Sequence, residues 1–100
     1  MLPAMTDDSR EALVSTYTRL TREVLPRMAK NERQDWPVRE DHCFQRIVLD
    51  TVCGGVWYDH LDRPAYRRAV ALCHAIADGQ ADLQQLNHNS LVWRGKRRAD

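Results

Sequence analysis

Side chains that could do chemistry are concentrated in residues 36–60, which hold two of the three Trp, two of the three Cys and two of the four His. Within this stretch His42, Arg46 and Asp50 follow one another at intervals of four residues. On a helix this spacing places all three on one face, where they can form a hydrogen-bonded row. Such a row could bind an anion through Arg46 and transfer a proton through His42. The alternative is a half-buried salt bridge between Arg46 and Asp50 that only fixes helix packing.

Aromatic and imidazole side chains follow directly after a double glycine, as Trp57, Tyr58 and His60. A loop held by a rigid scaffold is a common place for binding groups, and Trp and Tyr suit ligand pockets. We therefore expect these three residues to join the polar row in one cleft. The alternative is that the aromatic residues, Trp36 and Trp93 included, anchor the core.

Metal binding and thiol catalysis are weakly supported. Zinc sites use Cys and His at loop spacings such as C-x-x-C, and none occurs here. We predict no metal and no cofactor. Cys53 ends a predicted helix, where the dipole raises a thiol pKa. Cys43 lies nearer a helix start, beside His42, but on the side predicted to be buried. The candidate metal ligands by type are His42, Cys43, Cys53, Asp59, His60, Cys73 and His74.

Basic residues are concentrated at the C-terminal end, as Arg94, Lys96, Arg97 and Arg98. These side chains could contact phosphates of a nucleic acid. A short basic run at a chain end is alternatively only a solvated tail.

The elements that must position these residues are helical. Apolar residues recur at helical spacing from Leu13 to Met28 and predict a first helix that ends at Asn31 or Arg33. Pro26 lies inside this pattern and predicts a kink or break near Leu25. Residues 81–91 predict a short last helix.

The predicted helix over residues 41–53 has apolar side chains around most of its circumference, which indicates a central, largely buried position. A third helix opens at Pro64 and buries a face rich in Ala. The sequence predicts an all-α fold, a compact bundle of about four helices around the central one. The predicted helix-terminal signals are Asp8 with Glu11, Pro37 or Asp41, Gly54-Gly55, Asp62, and Asp78-Gly79.

Composition predicts one domain: residues 1–5 as a flexible leader, 6–93 as a helical domain and 94–100 as a frayed basic tail. With 43% apolar and 29% charged residues and a net charge of +1, the chain is typical of globular proteins. Three Cys do not suit a disulfide-stapled domain, and no signal peptide or membrane span is evident. We expect a cytoplasmic protein with no membrane partner, and a homodimer that buries one more apolar face is plausible for so small a core.

Four strings resemble a family of small uncharacterised bacterial and fungal proteins. They are W-P-V-x-x-D-H-C-F-x-R-I-x-L-D at residues 36–50, G-x-x-W-Y at 54–58, R-P-A-Y at 63–66 and L-N-x-x-S-L-x-W-R-G-K at 86–96. The resemblance covers about residues 20–96. Members have been labelled N-acetyltransferases, which need a glycine-containing pyrophosphate loop after a strand and a mixed sheet. Neither is predicted from this sequence, and the resemblance implies no particular activity.

Three functional hypotheses follow. The first is a binding module for a small anionic ligand or an acidic protein segment, with Arg46, His42, Asp50, Trp57, Tyr58 and His60 lining the cleft. In the second, an enzyme uses the same cleft, with His42 as general acid/base oriented by Asp50. In the third, the basic C-terminal residues bind nucleic acid. The sequence leaves open whether any catalysis occurs.

Overall fold

The N-terminal part of the chain forms one helical rod in three segments. In a computed structural model, which describes residues 9–55 and 61–95, the segments are α1 (Arg10–Arg19), a π-helical turn (Leu20–Val24) and α2 (Leu25–Asn31). The helix begins at Ser9, whose Oγ accepts from the Ala12 N–H at 3.2 Å. The prediction that Asp8 caps this helix was wrong, because the short Ser9 hydroxyl is in place to do so.

The rod does not break at Pro26. It widens in the preceding turn, and Pro26 lies in the first turn of α2. Proline cannot donate to the carbonyl four residues earlier and its ring crowds that carbonyl, which here belongs to Arg22. Because Arg22 lies within the π-helical turn, the wider winding accommodates the ring without ending the helix. The predicted irregularity is confirmed, but as a π turn placed just before Leu25.

Thr21 connects this wide turn to the rest of the fold. Its side chain is fully buried, and its Oγ1 donates to the Tyr17 carbonyl at 2.9 Å. The same Oγ1 accepts from Gln45 Nε2 at 3.3 Å. A buried hydroxyl with partners on both sides fixes the rod against the next helix, since an unpaired one would be destabilising.

The central helix, α3 (Asp41–Cys53), has Phe44, Ile47 and Val48 on its buried side. Trp36 packs edge to face on Phe44, with ring centroids 5.8 Å apart. Glu40, rather than the predicted Pro37 or Asp41, is the residue that precedes the helix. The C-terminal signal is confirmed, because Gly54 and Gly55 both have positive φ, of 65° and 82°.

Two further helices complete the bundle, α4 (Arg63–Ala77) and α5 (Leu83–Trp93). Asp62 caps α4 and Asp82 caps α5, each by accepting a backbone N–H three residues on. Small side chains at Ala69 and Cys73 are fully buried and allow α4 to approach the rod and α3. The predicted all-α bundle around a central buried helix is confirmed, with no strand in the described residues.

The predicted leader, residues 1–5, and all of the predicted tail beyond Gly95 lie outside the described residues. Within those residues, none of the helices combines the length and the hydrophobicity needed to cross a membrane.

Candidate anion-binding cleft

The predicted polar row on α3 runs from solvent into the core. The side chain of His42 is 76% exposed, that of Arg46 is 47% exposed, and that of Asp50 is only 7% exposed. Its three members therefore have different environments. Only the last two contact each other, with Arg46 Nε lying 3.5 Å from Asp50 Oδ2.

Asp50 is the centre of a polar cluster that joins α3 to α5. Ser90 Oγ donates to Asp50 Oδ2 at 2.6 Å, and Arg94 Nε lies 3.7 Å from the same oxygen. Arg94 Nε also donates to the Ser90 carbonyl at 3.3 Å. A carboxylate removed from water needs such charged and hydrogen-bonding partners. The Arg46–Asp50 salt bridge offered as the structural alternative is thus present, as part of a larger cluster.

Ser90 and the role of Arg94 were missed in the sequence, where Arg94 was grouped with the basic tail. Instead it follows the last residue of α5 and faces the end of the α3 row. A signal existed, because Asn87, Ser90 and Arg94 recur at spacings of three and four and so share one face of a helix. The sequence could not show that this face lies against α3.

A cleft of about 450 Å³ opens above the cluster, between α3 and α5. Its cationic side chains are Arg46 and Arg94, and Asp50 below them is the counter-charge. Two guanidinium groups against one carboxylate leave this region with an excess of positive charge. The full lining is Val38, His42, Cys43, Arg46, Asn87, Leu91 and Arg94.

The geometry does not let Asp50 orient His42. Eight residues along a helix separate them by about 12 Å, too far for a hydrogen bond. His42 Nδ1 instead lies 3.9 Å from Asp41 Oδ1, and the same oxygen accepts from the His42 backbone N–H at 2.9 Å. That backbone hydrogen bond, followed by Arg22, lowers the pKa of the Asp41 carboxyl. The carboxylate beside His42 therefore stays charged at neutral pH.

The loop residues predicted to complete the cleft, Trp57, Tyr58 and His60, lie outside the described residues, as does Asp59. Lys96, Arg97 and Arg98 of the predicted nucleic-acid surface also lie outside them. Of the predicted site residues, the structure brings together Arg46, Asp50 and Arg94, with His42 in the wall of the same cleft.

The three thiols are free and differ in environment. Burial raises the pKa of Cys73 to about 12. The pKa of Cys53 is also raised, by burial and then by the charge of Asp50. The low reactivity predicted for Cys53 rests on these two causes rather than on the helix dipole alone. Cys43 is half-buried and lines the cleft.

One group of possible metal ligands occurs in the described parts of the chain, at Glu40, Asp41 and His42. One ligand atom from each lies within 4.8 Å of the others, and Glu40 and His42 are exposed. Exposed acidic groups of this kind are common without an ion. No thiol belongs to the group, which does not match the ligand sets of structural zinc sites.

No protein-family model, curated protein or solved structure matches this chain. The resemblance to small uncharacterised proteins stays a prediction, and function must be argued from the cleft itself.

Proposed function

We propose that the protein is a binding module whose cleft between α3 and α5 takes a small anionic ligand or an acidic protein segment. One observation carries the proposal. Arg46 on α3 and Arg94 at the end of α5 both line an open cleft, and both direct Nε to the buried carboxylate of Asp50.

This arrangement orients the two guanidinium groups before any ligand arrives. Each guanidinium has five N–H donors in a fixed plane. The contacts with Asp50 use Nε, and within the described residues the terminal nitrogens of Arg46 and Arg94 make no hydrogen bond. Planar donors of this kind bind carboxylates and phosphates with two parallel hydrogen bonds. Little side-chain freedom is then lost on binding, which favours affinity.

His42 lies in the wall of this cleft, one helical turn before Arg46. Its imidazole can donate a hydrogen bond to an anion held by Arg46. Within the described residues the carboxylate near His42 is Asp41, which does not line the cleft, so a role in binding is better supported than general acid/base catalysis. We also propose a cytoplasmic location, supported by the absence of any disulfide among the three Cys residues.

Titration calorimetry at low ionic strength with inorganic phosphate and with succinate tests the proposal. We expect binding by the unmodified chain and a loss of about tenfold in affinity in Arg46→Ala and in Arg94→Ala, since a charge-assisted hydrogen bond contributes about 1.5–3 kcal/mol. Arg27→Ala is the matched control, because Arg27 is an exposed arginine on α2 that does not line the cleft.

Failure of both anions to bind, or equal losses in Arg27→Ala and the two cleft variants, would contradict the proposal. Equal losses would indicate a general effect of net charge rather than a site. Tight binding of RNA or DNA, weakened by salt and unaffected by Arg46→Ala, would instead favour the hypothesis of a nucleic-acid surface at the C-terminal end.

A further inference from the structure

The anion cleft is one end of a longer groove. Two more cavities, of about 430 Å³ and about 400 Å³, follow along α5 towards its N-terminus. Asn87 lines both the anion cleft and the first of these, and Pro37, Asp82 and Gln84 line both of the additional cavities. We call this series of cavities the α5 groove. Its far wall is formed by residues 36–38 and the first turns of α3.

One face of α5 forms the length of the groove. Gln84, Asn87, Leu91 and Arg94 line it at spacings of three, four and three residues, which is the periodicity of a single helix face. Ten residues of helix between the first and the last correspond to about 15 Å. An extended peptide covers this distance in four or five residues, at about 3.3 Å each.

Asn87 is the second observation that indicates a ligand. The residue is 8% exposed and its side-chain amide makes no hydrogen bond within the described residues, but the one fully enclosed unpaired side-chain atom found there is Thr51 Oγ1. The amide of Asn87 is therefore accessible from the groove, and its donor and acceptor are available to a bound ligand. This amide lies at the junction of two cavities. The NH₂ donor and C=O acceptor of the Asn87 amide can pair with the C=O and the N–H of one peptide group.

The two ends of the groove have opposite charge. At one end Arg46 and Arg94 outnumber Asp50. At the other end the lining includes Asp35, Asp82 and Arg33, and Arg33 is paired with Asp35 at 3.0 Å. The carboxylates are in excess there. An occupant complementary to both ends has an acidic group at one end and a basic group at the other.

We propose that the ligand of this protein is an extended peptide segment of about five residues. Its acidic side chain binds Arg46 and Arg94, its main chain hydrogen-bonds to the amide of Asn87, and a basic side chain lies near Asp82. This inference rests on the proposed function and deepens it, because it selects the acidic protein segment over the small anion. A free metabolite would occupy only the cleft between the two arginines and leave the far end of the groove at Asp82 empty.

Binding of short peptides by the full chain tests the inference. The probes are N-acetylated, C-amidated pentapeptide mixtures with Lys at one end, Asp at the other and three varied central positions, made in both directions. Matched mixtures carry Asn in place of Asp, and succinate represents the isolated anion. We expect the Lys/Asp mixture in one direction to bind about tenfold more tightly than its Asn counterpart and than succinate.

Asp82→Asn should weaken binding of the Lys/Asp mixture by about threefold, in the range of a solvent-exposed ion pair, and leave succinate binding unchanged, because Asp82 lines the two additional cavities and not the anion cleft. Nuclear magnetic resonance of the unmodified chain gives a second measurement that does not depend on the variant folding. The side-chain amide signal of Gln84, which lines the two additional cavities and not the anion cleft, should shift with the peptides and not with succinate.

Succinate binding with no gain from the peptides, or an Asp82→Asn variant with unchanged peptide affinity, would overturn the inference and leave the anion site standing. If neither succinate, nor phosphate, nor any peptide mixture binds, the proposed function fails and this inference with it.

Discussion

At the scale of single residues, the chemistry of this protein depends on how one buried carboxylate is satisfied. Asp50 has a serine hydroxyl and two guanidinium groups around a single oxygen, Oδ2. The same contacts serve two purposes. They stabilise a charge that could not be buried alone, and they hold two arginines at the floor of a cleft. Stability and binding can therefore be separated by changing different members of the cluster.

Asp50→Asn should weaken the fold and strengthen anion binding. The amide oxygen can still accept from Ser90, but both arginines lose their counter-charge, so we expect a loss of about 1–3 kcal/mol in the free energy of unfolding. The unbalanced guanidinium groups should then bind phosphate several-fold more tightly. Urea denaturation and calorimetry measure the two effects.

Ser90→Ala is the matched comparison. It removes a hydrogen bond from the same oxygen without changing the charge, so stability should fall by about 1–2 kcal/mol while phosphate affinity stays constant. If Asp50→Asn leaves phosphate affinity unchanged, the carboxylate neither competes with the anion nor orients the two arginines for it.

The thiol of Cys73 should make stability depend on pH in alkaline solution. Burial holds its pKa at about 12 in the folded chain, against an ordinary value of 9.0. Below 9.0 both states keep the proton and the stability is complete. From there to about 12 the unfolded state ionises first, so stability falls by up to about 1.4 kcal/mol per pH unit.

Urea denaturation of the unmodified chain and of Cys73→Ala, at a series of pH values between about 8 and 11, isolates the contribution of Cys73 ionisation to the free energy of unfolding. The variant should be less stable at neutral pH because it leaves a small cavity, but it should lose stability less steeply as the pH rises. Parallel pH profiles for the two proteins would show that Cys73 is not the group responsible.

At the scale of elements, the end of α3 and the end of α5 depend on each other. A Cβ added to Gly55 would overlap the ring of Trp93, the last residue of α5. The aromatic ring therefore packs directly on the Gly55 backbone. Since Asp50 and Arg94 belong to the same two helices, this contact helps to position the anion cleft.

Gly55→Ala should be more destabilising than Gly54→Ala. Both positions have positive φ, which disfavours a side chain by about 1–2 kcal/mol. Nothing lies within 4 Å of a Cβ at Gly54, whereas at Gly55 the Trp93 ring must move as well. We expect a further loss of about 1–3 kcal/mol from overpacking at Gly55.

Thermal unfolding followed by circular dichroism compares the two glycine variants. Anion affinity should fall in Gly55→Ala and stay unchanged in Gly54→Ala. Equal melting temperatures would mean that the Trp93 ring moves aside freely, and the proposed coupling between the helix ends would then be wrong.

At the scale of the whole molecule, one side chain on the described surface is suited to association with a second copy. Trp93, at 42% exposure, is the large hydrophobic side chain exposed in the described parts of the chain. The small size of the core led us to propose a homodimer. We expect it to form through Trp93, because the centres of protein interfaces favour aromatic anchors.

Sedimentation velocity tests this expectation. A dimer of the 11.6 kDa chain should dissociate in Trp93→Ser and persist in the exposed-surface control Arg27→Ala. A monomer at all concentrations in the unmodified protein would rule out the dimer.

The sequence by itself determined the elements and most of their ends. Helical periodicity, the capping residue Asp62 and the double glycine after Cys53 act over a few residues, so local chemistry is enough to place them. Competition between neighbouring cap candidates explains the errors at Asp8 and Asp41, because Ser9 and Glu40 differ from them in position by only one residue.

Only the tertiary structure decided the site. The α3 row was predictable from its spacing, but Asn87, Ser90 and Arg94 lie 37 or more residues beyond Asp50 in sequence. Their contribution depends on the packing of α5 against α3, which local spacing does not specify. Burial then separated the three members of the row into an exposed imidazole, a half-exposed arginine and a buried carboxylate. The function proposed for them follows from that difference in environment.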